Sequence, residues 1–264
     1  MMPQHTRTVE INGVAHQQHR SAGVVILAYG LLCYTAFVAA FLYAIGFVAN
    51  WGVPKSIDSG VVRATVPSIL INTALLGVFV LQHTIMARPW FKRWWTRILP
   101  VSVERSTFVL LASASLALMF WQWRPLPQVI WQATGALSVV LTSISMLGWA
   151  IVLLASFTIS HFDLFGLRQT WIRFRGRPYT PVGFRLAGLY RLVRHPLMLG
   201  FLLAFWATPS MTVGHLFFAA MTTGYIRFGT WIEERDLLAE HGETYVEYRR
   251  RVRGLLPLPK FVAG

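Results

Sequence analysis

Long uncharged apolar runs alternate with short polar connections over the first 160 residues. Residues 24–48, 66–87, 107–123 and 129–159 carry no formal charge, and each reaches the roughly 17–25 residues that a helix needs to cross a bilayer. A shorter apolar piece at 197–208 precedes another at 210–226. The pattern predicts an all-α integral membrane protein with about five transmembrane helical elements: four spans plus a C-terminal helical hairpin that crosses twice or dips in and returns. The connection at 52–60 is rich in Pro, Gly, Ser and Asp, so it reads as a turn joining two antiparallel spans. Beyond the hairpin, 231–241 reads as a helix continuing from the last apolar piece and stopped by Gly242 as a left-handed cap. Residues 244–253 read as a second short helix, with Tyr245, Tyr248 and Val252 on one face. Little chain is left for a soluble unit, so residues 1–264 read as a single domain.

Composition agrees with this picture. The chain is 55% hydrophobic and 14% aromatic, with mean hydropathy +0.51. The net charge of +14 raises a nucleic-acid reading, but its placement argues against one. Arg88, Lys92, Arg93, Arg97 and Arg105 crowd the second connection. Arg168, Arg173, Arg175, Arg177, Arg185, Arg191 and Arg194 follow the fourth span, whereas the first connection has only Lys55 and Arg63 against Asp58 and the third only Arg124. This is the positive-inside alternation. It predicts a multi-pass protein with residues 1–20 as a cytoplasmic tail and both termini cytoplasmic, and the expected location is a bacterial inner membrane. The tail reads as retained, since the first span is long and no small-residue cleavage site follows it. Trp90, Trp94 and Trp95 on one side, and Trp121, Trp123 and Trp131 on the other, read as interfacial anchors. Cys33 is the single cysteine and lies inside the first span, which excludes a disulfide framework, a zinc cluster or an iron–sulfur site, and no metal is expected.

The candidate chemistry sits at the C-terminal end. Six of the ten acidic residues fall within positions 233–247, flanked on both sides by arginines. Ionisable groups so close to spanning helices suggest a polar ligand. No HExxH, phosphate-loop lysine or GxSxG motif is present. What remains is Arg194-His195-Pro196, the Glu233-Glu234 pair and the tyrosines at 190, 245 and 248. Pro196 suits the first turn of a helix, which leaves His195 at a helix entrance whose free N–H groups attract a carboxylate. Gly200, one turn on, lets a backbone or a flat ligand approach. Arg and helix N–H groups suit a carboxylate, Glu suits an ammonium or ribose hydroxyls, and Tyr rings suit a base or a sulfonium. S-adenosyl-L-methionine has these parts. The competing reading is an ion-pair network that only braces the hairpin.

The set Arg194-His195-Pro196-x-x-x-Gly200, then Glu233-Glu234, Leu237, Gly242, Tyr245, Tyr248, Val252 and Pro257, resembles the isoprenylcysteine carboxyl methyltransferase superfamily of membrane enzymes. Within it, the segments 46–60, Gln82-His83 through Pro89, Glu104-Arg105-Ser106, 121–125 and 161–169 are similar to the methanethiol S-methyltransferase branch, which shares a superfamily with NnrU-type proteins. The resemblance spans nearly the whole chain. It implies methylation of methanethiol to dimethyl sulfide with S-adenosyl-L-methionine as donor, and a cofactor-binding set of Tyr190, Arg194, His195, Pro196, Leu197, Gly200, Glu233, Glu234, Tyr245 and Tyr248. Carboxyl methyltransferases carry an Arg just before the Glu pair. Here Gly229-Thr230-Trp231-Ile232 stands there and the nearest Arg is Arg227, which agrees with an acceptor lacking a carboxylate.

A thiol must be deprotonated before it attacks a sulfonium methyl. His161 and Asp163 are the first candidates, and they converge only if the helix ends near His161; His83 is the third. Gln82, Phe162, Phe165, Arg168 and Gln169 are the expected substrate pocket, with an Asp163–Arg168 ion pair as the competing account. The expected partners are methanethiol and the lipid bilayer. Rival functions are methylation of an isoprenylcysteine carboxylate or another lipophilic acceptor, an NADPH-dependent membrane reductase, and a non-enzymatic NnrU-like accessory protein.

Overall fold

The computed structural model describes residues 4–183 and 187–256, with side chains from residue 21 onward. Arg185, Pro257 and the side chains of residues 1–20 lie outside the described residues. Helix α1 (Gln4–Ala49) contains the first span, Ser21–Ala49. α2 (Thr65–Ala87), α4 (Val101–Gln122) and α5 (Gly135–Ile159) are the other three helices long and apolar enough to cross a membrane. The short α3 (Pro89–Trp95) joins α2 to α4, with Pro89 in its first turn. Past α5 come α6 (His161–Leu164), α7 (Leu167–Phe174), a 3-10 turn at Gly188–Arg191, α8 (Pro196–Trp206), α9 (Val213–His241) and α10 (Glu243–Arg251).

Two helix starts differ from the charge-based expectation, one earlier and one later. α4 starts at Val101, so Glu104 and Arg105 lie in its opening turns and not in the connection. The fourth run divides at Thr134-Gly135: Val129–Gln132 is a strand, β1, and the helix begins only at Gly135. β1 pairs antiparallel with β2 (Ser210–Thr212), the tip of the α8–α9 hairpin. This two-stranded ribbon is the only sheet among the described residues.

The ribbon fixes how far the hairpin reaches. Its tip meets the third connection, and Thr212 Oγ1 also donates to Asp58 of the first connection at 2.5 Å. The hairpin therefore runs to the end of the bundle where the α1–α2 and α4–α5 connections lie. Its arms are unequal: α8, with 11 residues, is about 16 Å long, and α9, with 29, about 43 Å. Against an apolar layer of about 30 Å, α8 is too short to cross alone.

The same end holds a packed polar plug. Asn72 Nδ2 donates to the Arg124 carbonyl and Asn72 Oδ1 accepts from the Arg124 N–H, both at 2.8 Å. Trp123 Nε1 donates to the Ile57 carbonyl at 3.0 Å, and both residues are fully buried. Trp123 is thus a core residue and not the interfacial anchor expected of it; Trp121 and Trp131 remain exposed. Close backbone contact brings α8 onto α5. A Cβ at Gly148 would lie 2.6 Å from Gly200 O, and one at Gly200 would lie 2.6 Å from Gly148 O. Ser145 Oγ donates to the Ala204 carbonyl across the same seam at 3.0 Å, in the small-residue manner of membrane helix pairs.

Candidate functional site

Pro196 opens α8 as expected, and His195 stands outside the helix at φ −125°, ψ 63°. The strand-like segment around them is tied to the chain after α10. Arg194 N donates to Arg253 O at 2.8 Å and His195 N to Gly254 O at 3.1 Å. The C-terminal segment thereby folds back beneath α8, and Gly242 permits the turn: it ends α9 at φ 51°, ψ −128°, a positive-φ stop, though not the left-handed helical geometry expected.

Four predicted residues meet there. Glu234 Oε1 accepts from Arg194 Nε at 2.9 Å, Arg194 Nη2 at 2.6 Å and His195 Nε2 at 3.0 Å. The other histidine nitrogen, Nδ1, lies 3.4 Å from Glu233 Oε2. Arg194 Nη1 also donates to the Val252 carbonyl at 2.6 Å, and Arg249 Nε is 3.7 Å from Glu234 Oε2. Arg194 thus clamps α9 to the end of α10, while His195 bridges the two glutamates. Burial works against charge on both partners but loses to the neighbours. It drives His195 down, yet hydrogen bonds and charge from Glu233 and Glu234 leave its pKa raised. It drives Glu234 up, yet Arg194 and His195 leave it lowered.

A pH dependence follows. His195 contributes stability that is whole below its ordinary value of 6.5 and is lost as pH rises through its raised value. Glu234 contributes stability that is whole above 4.5 and is lost as pH falls through its lowered value. Melting temperature in detergent is expected to be highest between those limits, and His195→Gln is expected to flatten the alkaline limb while the acid limb persists in part, because Arg194 still lowers Glu234. An unchanged alkaline limb in that variant would remove the imidazolium from this account.

A cavity of about 400 Å³ opens beside the cluster, walled by Arg194, His195, Arg227, Trp231, Glu234 and Arg253 among others. Arg227 has no ion-pair partner among the described residues. It escaped the sequence reading because nothing in a linear pattern says which side of α9 faces the fold-back. Tyr245 and Tyr248 are brought near but buried, and Tyr190 is half-buried. Tyr248 donates to the Tyr190 carbonyl at 2.6 Å and, with Tyr245, forms the buried face of α10, both nearly inaccessible. Burial above all pushes Tyr245 and Tyr248 up to about 12 and raises Tyr190 as well. Gly200 serves the approach of the α5 backbone, not of a ligand, and Leu197 is half-buried in the first turn of α8.

The expected Asp–His pair does not form. The chain does break at Ser160 after α5, but His161 turns inward and Asp163 outward. His161 Nε2 pairs with Tyr34 Oη at 2.8 Å and Nδ1 with Ser156 Oγ at 2.8 Å, and the ring stacks on Phe157 at 4.1 Å. Burial lowers its pKa. Tyr34 was legible only as an aromatic on a spanning helix. Asp163 Oδ1 accepts from Arg168 Nη1 at 2.8 Å, and Tyr179 Oη donates to both carboxylate oxygens at 3.1 and 3.2 Å. Gln169 Nε2 donates to the Asp163 carbonyl at 3.1 Å. Phe165 stacks on Phe37 at 3.7 Å, while Phe162 is 48% exposed and walls no closed pocket.

His83 lies elsewhere in the bundle, among Phe79, Phe108 and Tyr225. Its Nδ1 is buried with no hydrogen-bond partner among the described residues, as is Gln82 Oε1 beside it. Gln82 Nε2 reaches Met86 Sδ at 3.2 Å and the Phe108 carbonyl at 3.3 Å. α2 and α9 are pinned together through Thr84–Tyr225 at 3.3 Å and Arg88–Asp236 at 2.8 Å. Tyr225, Gly229 and Glu233 form one i, i+4, i+8 row on α9, about 12 Å long. The row leads from His83 to the Arg194–His195 cluster. A Cβ at Gly229, midway along it, would meet nothing within 4 Å.

No family model and no solved structure matches the chain. Curated relatives do. It is 53% identical over 236 residues to methanethiol S-methyltransferase 2 of Bradyrhizobium diazoefficiens, covering 89% of this chain and 91% of the relative. It is 53% identical over 234 residues to the methanethiol S-methyltransferase of Mycobacterium tuberculosis, covering 88% and 96%. A more distant relative is nurim of Sus scrofa, 24% identical over 225 residues, covering 80% of this chain and 86% of nurim. Identity at this level over almost the full length places the chain in the methanethiol S-methyltransferase family.

Proposed function

We propose that this enzyme transfers a methyl group from S-adenosyl-L-methionine to methanethiol, giving dimethyl sulfide. The observation that carries the donor assignment is the Arg194–His195–Glu233–Glu234 cluster beside the cavity walled by Arg227 and Trp231. The donor set fits the ligand: a free guanidinium at Arg227 for a carboxylate, Glu233 and Glu234 for an ammonium or ribose hydroxyls, and the Trp231 indole for a flat base or a sulfonium. When bound, S-adenosyl-L-methionine supplies a methyl group on a positively charged sulfur, which becomes a neutral thioether once the methyl has left. Arg194, with its guanidinium already engaged by Glu234 and Val252, holds the fold-back in place, and His195 orients both glutamates.

On the acceptor side, His83 is the base. A base needs an open lone pair. Both His161 nitrogens are hydrogen-bonded and the Asp163 carboxylate is held by Arg168 and Tyr179, so among the three candidates His83 Nδ1 is the atom with no hydrogen-bond partner among the described residues. His83 Nδ1 takes the thiol proton, and the thiolate attacks in line. The walls of Phe79, Phe108 and Tyr225 suit a small apolar thiol that arrives through lipid, and they exclude water. Asp163 braces the turn after α5 through Arg168. With the basic end of the bundle facing the cytoplasm, the donor enters from that side, at the inner membrane of a bacterium.

Headspace detection of dimethyl sulfide from purified protein given methanethiol and S-adenosyl-L-methionine tests the reading. Calorimetric binding of S-adenosylhomocysteine with none of NADPH separates it from a reductase. His83→Ala is expected to lower kcat about 10²-fold or more with donor affinity unchanged, and Asp163→Asn to lower it little. Wild-type turnover in His83→Ala would exclude His83 as base.

A further inference from the structure

A second, larger cavity of about 550 Å³ opens at the same end of the bundle, between α3, the start of α4, the end of α5 and α7. It shares no wall residue with the donor cavity, and the proposed methyl transfer makes no use of it. Four cations line it: Lys92, Arg105, Arg173 and Arg177. Two carboxylates, Glu104 and Asp163, stand against them, and Asp163 is already held by Arg168 and Tyr179. Lys92, Arg105, Arg173 and Arg177 have no ion-pair partner among the described residues. Arg105 is anchored by its Nε, which donates to the Leu164 carbonyl at 2.8 Å, and by the Phe108 ring 5.1 Å from its guanidinium carbon. That leaves its two terminal nitrogens without a hydrogen-bond partner among the described residues. Burial first, and the Arg105 charge second, push the Lys92 pKa down, and the opposing Glu104 charge does not offset them.

The rim is apolar. Val101 and Ile159, both on the wall, are 67% and 42% exposed, and Trp90 and Trp94 stand out from neighbouring α3. A cationic floor with an apolar rim, between spanning helices at their basic end, matches an amphiphile whose head carries a phosphate. Gln169 Oε1, also on the wall, is buried without a partner among the described residues, so it can accept from a hydroxyl on the same head.

We propose that this cavity is a binding site for a phosphate diester anion, supplied by the glycerol-bearing head of an anionic phospholipid of the surrounding leaflet. Lys92, Arg105, Arg173 and Arg177 neutralise the phosphate, Gln169 takes a glycerol hydroxyl, and the acyl chains leave past Val101 and Ile159. The site ties α3, α4, α5 and α7 together through one ligand.

The test uses delipidated full-length protein in detergent, with phosphatidylglycerol, phosphatidylcholine or free glycerol phosphate added, read by native mass spectrometry and melting temperature. Phosphatidylglycerol is expected to bind and raise the melting temperature. Lys92→Gln with Arg173→Gln is expected to weaken that binding about thirtyfold, each charge being worth roughly fivefold near a membrane surface. Arg63→Gln, at the opposite end, serves as the control and is expected to change nothing. Glycerol phosphate binding as tightly as the lipid, with the same loss in the double variant, would assign the site to a soluble phosphate ester. Equal binding of phosphatidylglycerol by wild type and double variant, or no preference over phosphatidylcholine, would overturn the proposal whatever the methyltransferase assay reads.

Discussion

Glu234→Ala is expected to abolish donor binding and to destabilise the fold by about 3 kcal/mol, the cost of leaving mostly buried cations without their counter-charge. Arg194 and Glu234 side chains are only 12% and 18% exposed, so solvent offers little replacement. One carboxylate oxygen holds three donors on Arg194 and His195, and without it those groups repel one another. The loss should spread along the fold-back, because Arg194 also holds the Val252 carbonyl and the strand-like pairing of Val193 with Arg253. Glu234→Gln keeps the shape and one acceptor, so it is expected to fold better than the alanine variant yet still bind donor poorly. Thermal unfolding in detergent and calorimetric titration with S-adenosylhomocysteine separate the two effects. Wild-type melting and affinity in Glu234→Ala would show that the cluster carries neither stability nor function.

Gly200→Val is expected to be at least as damaging, from a different cause. A Cβ there meets Gly148 O at 2.6 Å and Val152 N at 2.9 Å. Backbone atoms have no rotamer to change, so α5 and α8 must separate. Overpacking of this kind costs about 1–3 kcal/mol for added methyl groups in a tight core, and valine adds three carbons. Because Pro196 and His195 lie one turn away, the shift carries His195 off Glu234, and donor affinity should fall with stability. Gly224→Ala is the matched control, since its Cβ meets nothing within 4 Å. It is expected to be neutral or to stabilise by up to about 1 kcal/mol through helix propensity. Equal melting temperatures for Gly200→Val and wild type would refute the close crossing.

Much of this architecture is legible in the amino-acid sequence. Apolar runs of spanning length mark four helices because lipid leaves a backbone no other way to satisfy its hydrogen bonds. The Arg194-His195-Pro196 sequence marks a helix entrance because proline's missing N–H is harmless only there. The clustering of Glu233 and Glu234 opposite those residues was visible as lopsided charge. What misled was reading charge as a helix boundary. Glu104 and Arg105 lie inside α4, where Arg105 finds the Leu164 carbonyl, so a single charged pair does not end a helix that other elements cover. Trp123 misled similarly, since an indole near a span end is an anchor or a core residue according to whether a carbonyl such as that of Ile57 awaits it.

By itself the sequence determined the membrane architecture, the basic end of the bundle and the identity of the Arg194, His195, Glu233 and Glu234 cluster. These depend on composition and on short-range spacing, which chain geometry translates directly. Only the tertiary structure decided that His161 turns toward Tyr34 while Asp163 turns toward Arg168, that His83 keeps an uncommitted nitrogen, and that Gly200 meets Gly148. Each depends on a partner tens of residues away in the chain or more, or on how a turn such as Ser160 aims its neighbours. A side chain's hydrogen bonds go to whatever packing brings within about 3 Å, and no local pattern encodes that.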